Sequence, residues 1–314
     1  MLLRSLVAVA IATAPVAAGA STIIVGVPDW PSAEVTAHVL KEVLEDGAGV
    51  DVRLRSIGTV ELFGAIDRGE VDVHPEVWLP NLEGLVEEFT EGTGTLTLAP
   101  RGGPARQSLC TTADTVEATG IQHVTDLADP AMAAHFDTDG DGLGEMWIGA
   151  NAWSSTRIER VRARSYGYAE TMMLLTGPED MAMAAVDAAA ATGAPIVFFC
   201  YAPHHVFALH DIVVLEEPPH DPETWHLVRP SEDPAWLSLS RAASAWPQAA
   251  FHIAYATDLL TYDPEVVEIL NNVTLTTEDA ESMSYQVLVE RRSPEEVAAI
   301  WIEQNADRVE DWTP

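Results

Sequence analysis

Four aromatic residues lie in segments flanked by proline or serine: Trp30 in DWPS, Trp78 in VWLP, Trp153 in AWSS and Tyr201 in YAPHH. Rings that converge on one crevice can hold a quaternary ammonium ion, which has no N–H to donate and is bound by cation–π attraction. Taken singly, each tryptophan is more typical of an ordinary buried position. Their recurrence in comparable segments of both halves of the chain favours a cage for an onium group.

Residues 137–145 (DTDGDGLGE) place carboxylates at alternate positions of a tight, glycine-containing loop. Such spacing turns hard oxygen ligands toward one centre, as calcium requires. Positions 1, 3, 5, 6 and 9 of an EF-hand loop match, but position 12 is Ile148 where a bidentate Glu is needed. We therefore predict a structural Ca²⁺ site that needs a further ligand, built from Asp137, Asp139, Asp141 and Glu145. The alternative is a solvated acidic turn.

Motifs for catalysis are missing from the sequence. The histidines lack the spacing of a zinc site, and there is no G-x-S-x-G, Walker A or G-x-G-x-x-G sequence. We therefore expect a protein that is not an enzyme.

The elements that must position these residues begin with an alternation of strands and helices. The apolar pattern predicts strands over 22–27, 50–54 and 71–73 and helices over 32–44 and 60–68. This order indicates an open, mostly parallel sheet, whose ligands bind beyond the carboxyl ends of the strands. The loops 28–32 and 74–81, each with a tryptophan, stand at such ends. Residues 91–104 look like a connection, and helices are predicted over 155–175, 178–191, 264–271 and within 276–312, with strands over 194–200 and 251–255.

The N-terminus has the pattern of a signal peptide over residues 1–20: a short basic start, an apolar run over 6–18 and the small-residue site Ala18-Gly19-Ala20. The run is too short to span a bilayer, although a membrane anchor is the alternative interpretation. No cysteine follows it for lipid attachment, so we expect a soluble, non-lipidated periplasmic protein. Export permits a disulfide between Cys110 and Cys200, but two free thiols are an equally good interpretation.

The composition excludes two kinds of partner. The 314 residues carry 49 Asp and Glu against 16 Lys and Arg, a formal net charge of −33. A nucleic-acid binder needs a basic surface, and an anionic membrane repels such a chain. The apolar fraction of 47% and nine tryptophans supply a large core, in one large domain or two of roughly 150 residues.

Five stretches, in this order, resemble the glycine betaine/proline betaine (quaternary amine) substrate-binding proteins of ABC importers: VGVPDWPSAE (25–34), GEVDVHPEVWLPN (69–81), DLADPAMAAHFDTDGDG (126–142), GANAWSS (149–155) and GAPIVFFCYAPHHVFALHDIVVLEE (193–217). The resemblance covers nearly the whole mature chain. It implies an α/β, type II periplasmic-binding fold with two α/β lobes joined by a two-crossing hinge that closes on the ligand. Lobe 1 would comprise residues 21–108 plus 272–314, and lobe 2 residues 109–271.

The resemblance also implies a binding site. In the family an aromatic box surrounds the trimethylammonium group, and the matching positions here are Trp78, Trp153 and Tyr201, with Trp30 as a candidate fourth wall. The ligand carboxylate is usually held by backbone N–H groups, which correspond to Ser154 and Ser155 at the start of a predicted helix. His204 matches one of two histidine positions found in relatives, whereas the other position falls at Asn81 and Leu82, where no histidine stands.

We therefore expect a monomeric binding protein that delivers a small methylated onium solute, with glycine betaine as first choice, to an ABC permease and its ATPase. Trimethylamine N-oxide, choline, carnitine and sulfonium solutes stay open, because a cage recognises shape and charge and these solutes differ mainly at the far end. An alternative from another class is an exported calcium-dependent hydrolase or carbohydrate-binding protein that stacks sugars on the rings. A sensor or chaperoning module on the same fold is a third.

Overall fold

The computed structural model of the protein describes residues 21–313, so the predicted signal peptide lies outside the described residues. The strands are β1 Thr22–Val27, β2 Asp51–Ser56, β3 Val73–Leu79, β4 Leu96–Thr112, β5 Gly144–Trp147, β6 Met172–Leu175, β7 Val197–Ala202, β8 Ile212–Val214, β9 Trp225–His226, β10 Arg241–Ala242 and β11 Ala249–Ala256.

The helices alternate with these strands and then fill the C-terminal region. They are α1 Pro31–Ala48, α2 Thr59–Asp67, α3 Glu83–Glu87, α4 Ala113–Thr119, α5 Pro130–Ala133, α6 Ser154–Tyr166, α7 Glu179–Thr192, α8 Val206–Leu209, α9 Trp236–Leu239, α10 Leu259–Tyr262, α11 Pro264–Asn272, α12 Thr277–Leu288, α13 Pro294–Gln304 and α14 Ala306–Glu310. Short 3-10 turns lie at Val124–Ala128, Tyr168–Glu170 and Pro222–Thr224, and a π turn at Glu88–Gly92.

Nine strands form one mixed sheet in the order β2-β1-β3-β11-β4-β7-β5-β6, with β8 beside β4. The outer groups β2-β1-β3 and β7-β5-β6 are parallel, whereas β11 and β4 run antiparallel between them. The predicted α/β class and the parallel β-α-β-α-β start are thus confirmed.

Two apolar clusters lie along this sheet. The first contains α1, β1, α2 and the C-terminal helices, and the second contains β7, α6 and the four candidate rings. Strands β4 and β11 contribute to both, because Leu96 and Ile253 belong to the first cluster and Leu109 and Phe251 to the second. Two neighbouring antiparallel strands therefore carry the chain between the clusters, as a two-crossing hinge requires.

Several predicted boundaries differ from the structure. Residues 73–79 form strand β3, where we expected a strand over 71–73 and a loop over 74–81. Residues 96–104 belong to β4, although their Gly and Pro content suggested a connection. In both stretches pairing with β11 overrides the local preference. The predicted helix 155–175 ends at Tyr166, with Gly167 at its C-cap, and β6 follows. The predicted division placed residues 253–270 in lobe 2, but they supply side chains to the first cluster. The chain passes from the second cluster to the first within β11, and α11 then packs on α1.

A disulfide joins Cys110 of β4 to Cys200 of β7, with a Cα–Cα distance of 5.7 Å. These strands are antiparallel neighbours with Cys110 opposite Phe198 and Ser108 opposite Cys200, so the two cysteines are diagonal partners. The structure thus decides between the two interpretations that the sequence left open.

None of the helices formed by residues 21–313 has the length and apolarity needed to cross a bilayer.

Candidate functional site

The four rings come from four different elements. Trp30 is the residue before α1, Trp78 lies near the end of β3, Trp153 directly precedes α6, and Tyr201 lies near the end of β7. Each ring follows or closes a strand-end segment. Strands β3 and β7 run in opposite directions, and their carboxyl ends meet near the middle of the long strand β4, so the fold brings the rings together where the two groups of parallel strands face each other. All four are at least 92% buried, with exposures of 7%, 7%, 7% and 8%.

Successive rings stand nearly perpendicular to one another. The centroids of Trp30 and Trp153 are 6.5 Å apart with planes at 86°, those of Trp153 and Tyr201 are 5.8 Å apart at 82°, and those of Tyr201 and Trp78 are 5.5 Å apart at 84°. The rings therefore follow one another around a common space. The structure brings together all three predicted box residues and the candidate fourth wall.

That space is a cavity that all four rings border. Besides the four rings and Ser154 and Ser155, it is lined by Thr59, Asn81, Leu82, Gln107 and Phe199. The side-chain amides of Asn81 and Gln107 donate to each other's oxygens at 2.7 and 2.6 Å. These amides were not among the predicted site residues.

Two buried carboxylates hold the rings from behind. Glu76 accepts hydrogen bonds from the indole Nε1–H of Trp30 at 2.7 Å and of Trp78 at 3.2 Å. Glu179 accepts from the Tyr201 hydroxyl at 2.6 Å. Burial, followed by the nearby Glu179 charge, raises the pKa of Tyr201, so this hydroxyl stays protonated and donates. Sequence reasoning missed both acids, although Glu76 is two residues before Trp78 on a strand and so shares its face.

The N-terminus of α6 opens at the cavity with its amide groups free of a side-chain cap. Trp153 takes the N-cap position and offers no capping oxygen, so no side chain caps this helix. Gly149 has φ +120°, and a Cβ there would collide with the Thr156 hydroxyl, so glycine lets the loop fold back against the helix start. Ser154 and Ser155 therefore present unsatisfied N–H groups at the positive end of the helix dipole.

His204 does not line the cavity. Its ring packs against Tyr201, with centroids 4.8 Å apart, and its Nε2 lies 3.1 Å from the Glu179 carboxylate. The side chain is 2% exposed and stands behind the box wall. The structure therefore groups His204 with Tyr201 through Glu179, away from the position of a direct ligand contact.

The acidic loop lies apart from the cavity lining. Asp137, Asp139 and Glu145 bring one oxygen each within 4.8 Å of the others. Asp141 is outside this group and accepts from the Leu143 N–H at 2.9 Å. Both Asp137 oxygens accept from backbone N–H groups of the loop, at 2.7 and 2.9 Å. The carboxylate oxygens are hard donors that suit Ca²⁺. Three of the four predicted ligand residues converge, and the metal site stays a prediction.

The comparisons with known proteins give a family that covers most of the chain and solved structures that share its fold. The family model OpuAC, described as the substrate-binding domain of ABC-type glycine betaine transport systems, matches residues 21–304. A choline-binding protein of an ABC transporter, solved with choline, superposes with a TM-score of 0.73 at 18% identity over 93% of this chain and 91% of that chain. Lactococcal OpuAC, solved with glycine betaine, superposes with a TM-score of 0.69 at 17% identity, over 94% of this chain and 100% of that chain. The glycine betaine/L-proline-binding protein ProX from Borrelia burgdorferi superposes with a TM-score of 0.71 at 15% identity, over 94% of this chain and 97% of that chain. No curated protein sequence matches.

Proposed function

The chain belongs to the family of substrate-binding domains of ABC-type glycine betaine transport systems, and we propose that its own ligand is a small methylated onium compound, with glycine betaine as first choice. One observation carries the proposal: four aromatic rings and an uncapped helix N-terminus border the same cavity.

The cation end of such a ligand fits the rings. When adjacent walls of a box are perpendicular, each centroid lies at about 0.7 of the centroid spacing from the centre. On this geometry, the spacings of 5.5 to 6.5 Å would place a cation at the centre of the cavity within the range of about 6 Å over which cation–π attraction acts. Trp30, Trp78, Trp153 and Tyr201 are the proposed walls.

The anionic end fits the start of α6. The N–H groups of Ser154 and Ser155 have no side-chain acceptor and stand where the helix dipole favours negative charge. Both residues line the cavity beside Trp153, so a carboxylate attached to a caged ammonium group reaches them. A zwitterion such as glycine betaine satisfies both ends at once.

Choline is the second candidate, because the cavity also offers neutral hydrogen-bonding groups. Beyond their mutual pair, Asn81 and Gln107 each keep one amide N–H and one oxygen lone pair. These can bind a hydroxyl group in place of a carboxylate. Trimethylamine N-oxide, carnitine and sulfonium solutes present related ends and belong in the same test.

The proposed mechanism is binding and closure without chemistry. The ligand would be enclosed as the two parts of the molecule close about β4 and β11, and the closed form would dock on an ABC permease that is driven by its ATPase. We propose that the protein is exported through the N-terminal signal peptide, works as a periplasmic monomer and carries no lipid. The family and the fold support transport over a hydrolase or a carbohydrate-binding protein.

Titration of intrinsic tryptophan fluorescence with a panel of onium compounds tests the proposal, since three cage walls are tryptophans. The panel is glycine betaine, choline, carnitine, trimethylamine N-oxide and dimethylsulfoniopropionate, with a sugar as the negative control. We expect saturable changes with at least one onium compound and none with the sugar. A protein that responds to no onium compound contradicts the proposal.

A further inference from the structure

Glu76 is a buried carboxylate directly behind two of the box walls. Glu76 is 1% exposed and does not line the cavity. Oxygen Oε2 accepts from Trp30 Nε1 at 2.7 Å, from Trp78 Nε1 at 3.2 Å and from the Ser32 hydroxyl at 3.0 Å. Oxygen Oε1 accepts from the Thr36 hydroxyl at 3.2 Å. Two of the four donors are thus rings of the cage itself.

The local sequence explains this convergence. Glu76 and Trp78 are two residues apart on β3, so their side chains project from the same face of the strand. Ser32 and Thr36 are one turn apart on α1 and face the same point, close to the helix N-terminus. Trp30 is the N-cap residue of that helix and offers no side-chain cap. The carboxylate therefore lies where the helix dipole and four donors favour negative charge.

No cation within residues 21–313 forms an ion pair with Glu76. Burial raises the pKa of Glu76, and the hydrogen bonds from Trp30, Trp78, Ser32 and Thr36 act in the opposite direction. Because an indole N–H can only donate, Oε2, which accepts from both tryptophans, carries no proton. The Thr36 hydroxyl donates to Oε1, so all four hydrogen bonds are those of a carboxylate. A buried carboxylate without a positive partner is costly, and a cation held in the cage would supply that partner.

We propose that Glu76 is the specificity-determining residue that makes the aromatic cage select a positive charge. The inference rests on the proposed function. An anion that accepts from an indole N–H pushes electron density into the ring and makes its face more negative, and its own charge attracts a cation on the far side of the ring. Without it, the four rings would still bind a trimethyl group as an apolar body, with little preference for a charged ligand.

Glu76→Gln separates the charge from the hydrogen bonds. Glutamine has the same shape: its oxygen can accept from Trp30, Trp78 and Ser32, while its amide N–H donates to the Thr36 hydroxyl. Each onium ligand is paired with its carbon isostere, which has a tert-butyl group in place of trimethylammonium: 3,3-dimethylbutan-1-ol for choline and 3,3-dimethylbutanoate for glycine betaine. Affinities are measured by tryptophan fluorescence or calorimetry, and near-UV circular dichroism reports whether the ring packing is kept.

For E76Q we expect the affinity for the onium ligand to fall at least about tenfold, a loss within the range of a desolvated cation–π interaction. The affinity for the carbon isostere should stay the same or rise. The Tm should stay equal or rise, because a buried charge is removed without loss of hydrogen bonds. A ring-positioning role alone would weaken the onium ligand and its isostere together. An equal loss for both, or an onium affinity that changes less than twofold, overturns the proposal.

Glu159→Gln is the control, because Glu159 is also fully buried and accepts from a tryptophan, Trp246 Nε1 at 2.8 Å, but Trp246 is not a wall of the cage. Unlike Glu76, Glu159 is paired with a cation, Arg162, whose Nε lies 2.9 Å away. This variant should leave the ratio of onium to isostere affinity unchanged. If E76Q does not fold, Trp30→Phe tests the same link, since phenylalanine keeps an aromatic wall but cannot donate to Glu76. In Trp30→Phe the ratio of onium to isostere affinity should fall, and an unchanged ratio contradicts the proposal. Failure of the wild-type protein to bind any onium compound instead contradicts the proposed function.

Discussion

The ring of Trp78 meets the ring of Tyr201 at a centroid distance of 5.5 Å and an angle of 84°, although their strands β3 and β7 are separated in the sheet by β11 and β4. The intervening strands are the two that pass between the apolar clusters. Strand β3 also places Val73 and Val77 in the first cluster, whereas residues 197–201 of β7 lie in the second, so a change in the angle between the clusters is expected to change the spacing of these two rings. The cage and the hinge are coupled through this pair.

Trp153→Ala should remove most of the ligand affinity, with a loss of at least about 30-fold, because the variant deletes a wall in contact with two other walls. Isothermal titration calorimetry with the tightest onium ligand measures the change. Trp312→Ala is a suitable control: Trp312 is 2% exposed and stacks on Trp301 in the first cluster. It should lower the Tm and leave affinity intact. Unchanged affinity in W153A would show that the cage assignment is wrong.

Arg229→Ala should weaken ligand binding by about two- to fivefold, as expected for a partly exposed ionic contact. Arg229 lies in the segment that packs on the second cluster, and it donates to the Gly84 carbonyl oxygen at 2.9 Å and to Glu88 at 2.6 Å, beside the first cluster. The contact thus bridges the two parts of the molecule, and we expect it to stabilise their closed arrangement. Stopped-flow fluorescence should show a faster dissociation rate for this variant than for the wild-type protein, and lowering the salt concentration should not restore the wild-type rate. Arg53→Ala, which removes an exposed pair with Asp51, is the control and should bind normally. A dissociation rate for Arg229→Ala equal to that of the wild-type protein would contradict the prediction.

Removal of the Cys110–Cys200 disulfide should lower the free energy of unfolding by about 2 to 5 kcal/mol, because it releases a loop of some 90 residues in the unfolded chain. The double variant C110A/C200A is compared with the wild-type protein in urea, with and without reductant. Reductant should lower the midpoint of the wild-type protein only. Equal midpoints in all four samples would contradict a stabilising bridge.

The sequence predicted the ring positions well, because proline and serine beside Trp30, Trp153 and Tyr201 mark the ends of regular elements. It missed that Trp78 lies on a strand, since Pro75 disfavours a strand locally and only the pairing of β3 with β11 overrides it. Glu76 could not be assigned as a buried acid, because its partners Trp30, Ser32 and Thr36 are 40 or more residues away along the chain. The role expected for His204 assumed a side chain facing the ligand, and the Glu179 contact that turns it away is likewise remote in sequence.

Calcium should raise the Tm of the wild-type protein by a few degrees, because Asp137, Asp139 and Glu145 converge and hard oxygen donors suit this ion. Differential scanning fluorimetry with Ca²⁺, Mg²⁺ and EGTA measures the effect. Asp139→Asn should abolish the calcium shift, whereas Asp141→Asn, which lies outside the convergent group, should keep most of it. The affinity for the onium ligand should be the same with and without EGTA, since the loop does not line the cavity. A Tm that does not change with calcium would indicate a solvated acidic turn.

The free energy of unfolding should fall as the pH is lowered from about 6.5 toward 3, partly because of His74. Burial lowers the pKa of His74 to about 3; its Nδ1 accepts from the Glu76 N–H at 3.3 Å, and Nε2 lies 3.1 Å from the Thr59 hydroxyl. The folded state keeps this ring neutral over a range in which the unfolded chain binds a proton, so this residue contributes a loss approaching about 1.4 kcal/mol per pH unit. Urea denaturation at pH 7, 6, 5 and 4 gives the slope. His74→Asn retains an acceptor for the Glu76 N–H but cannot titrate, so its slope should be shallower, and an identical slope would contradict the assignment.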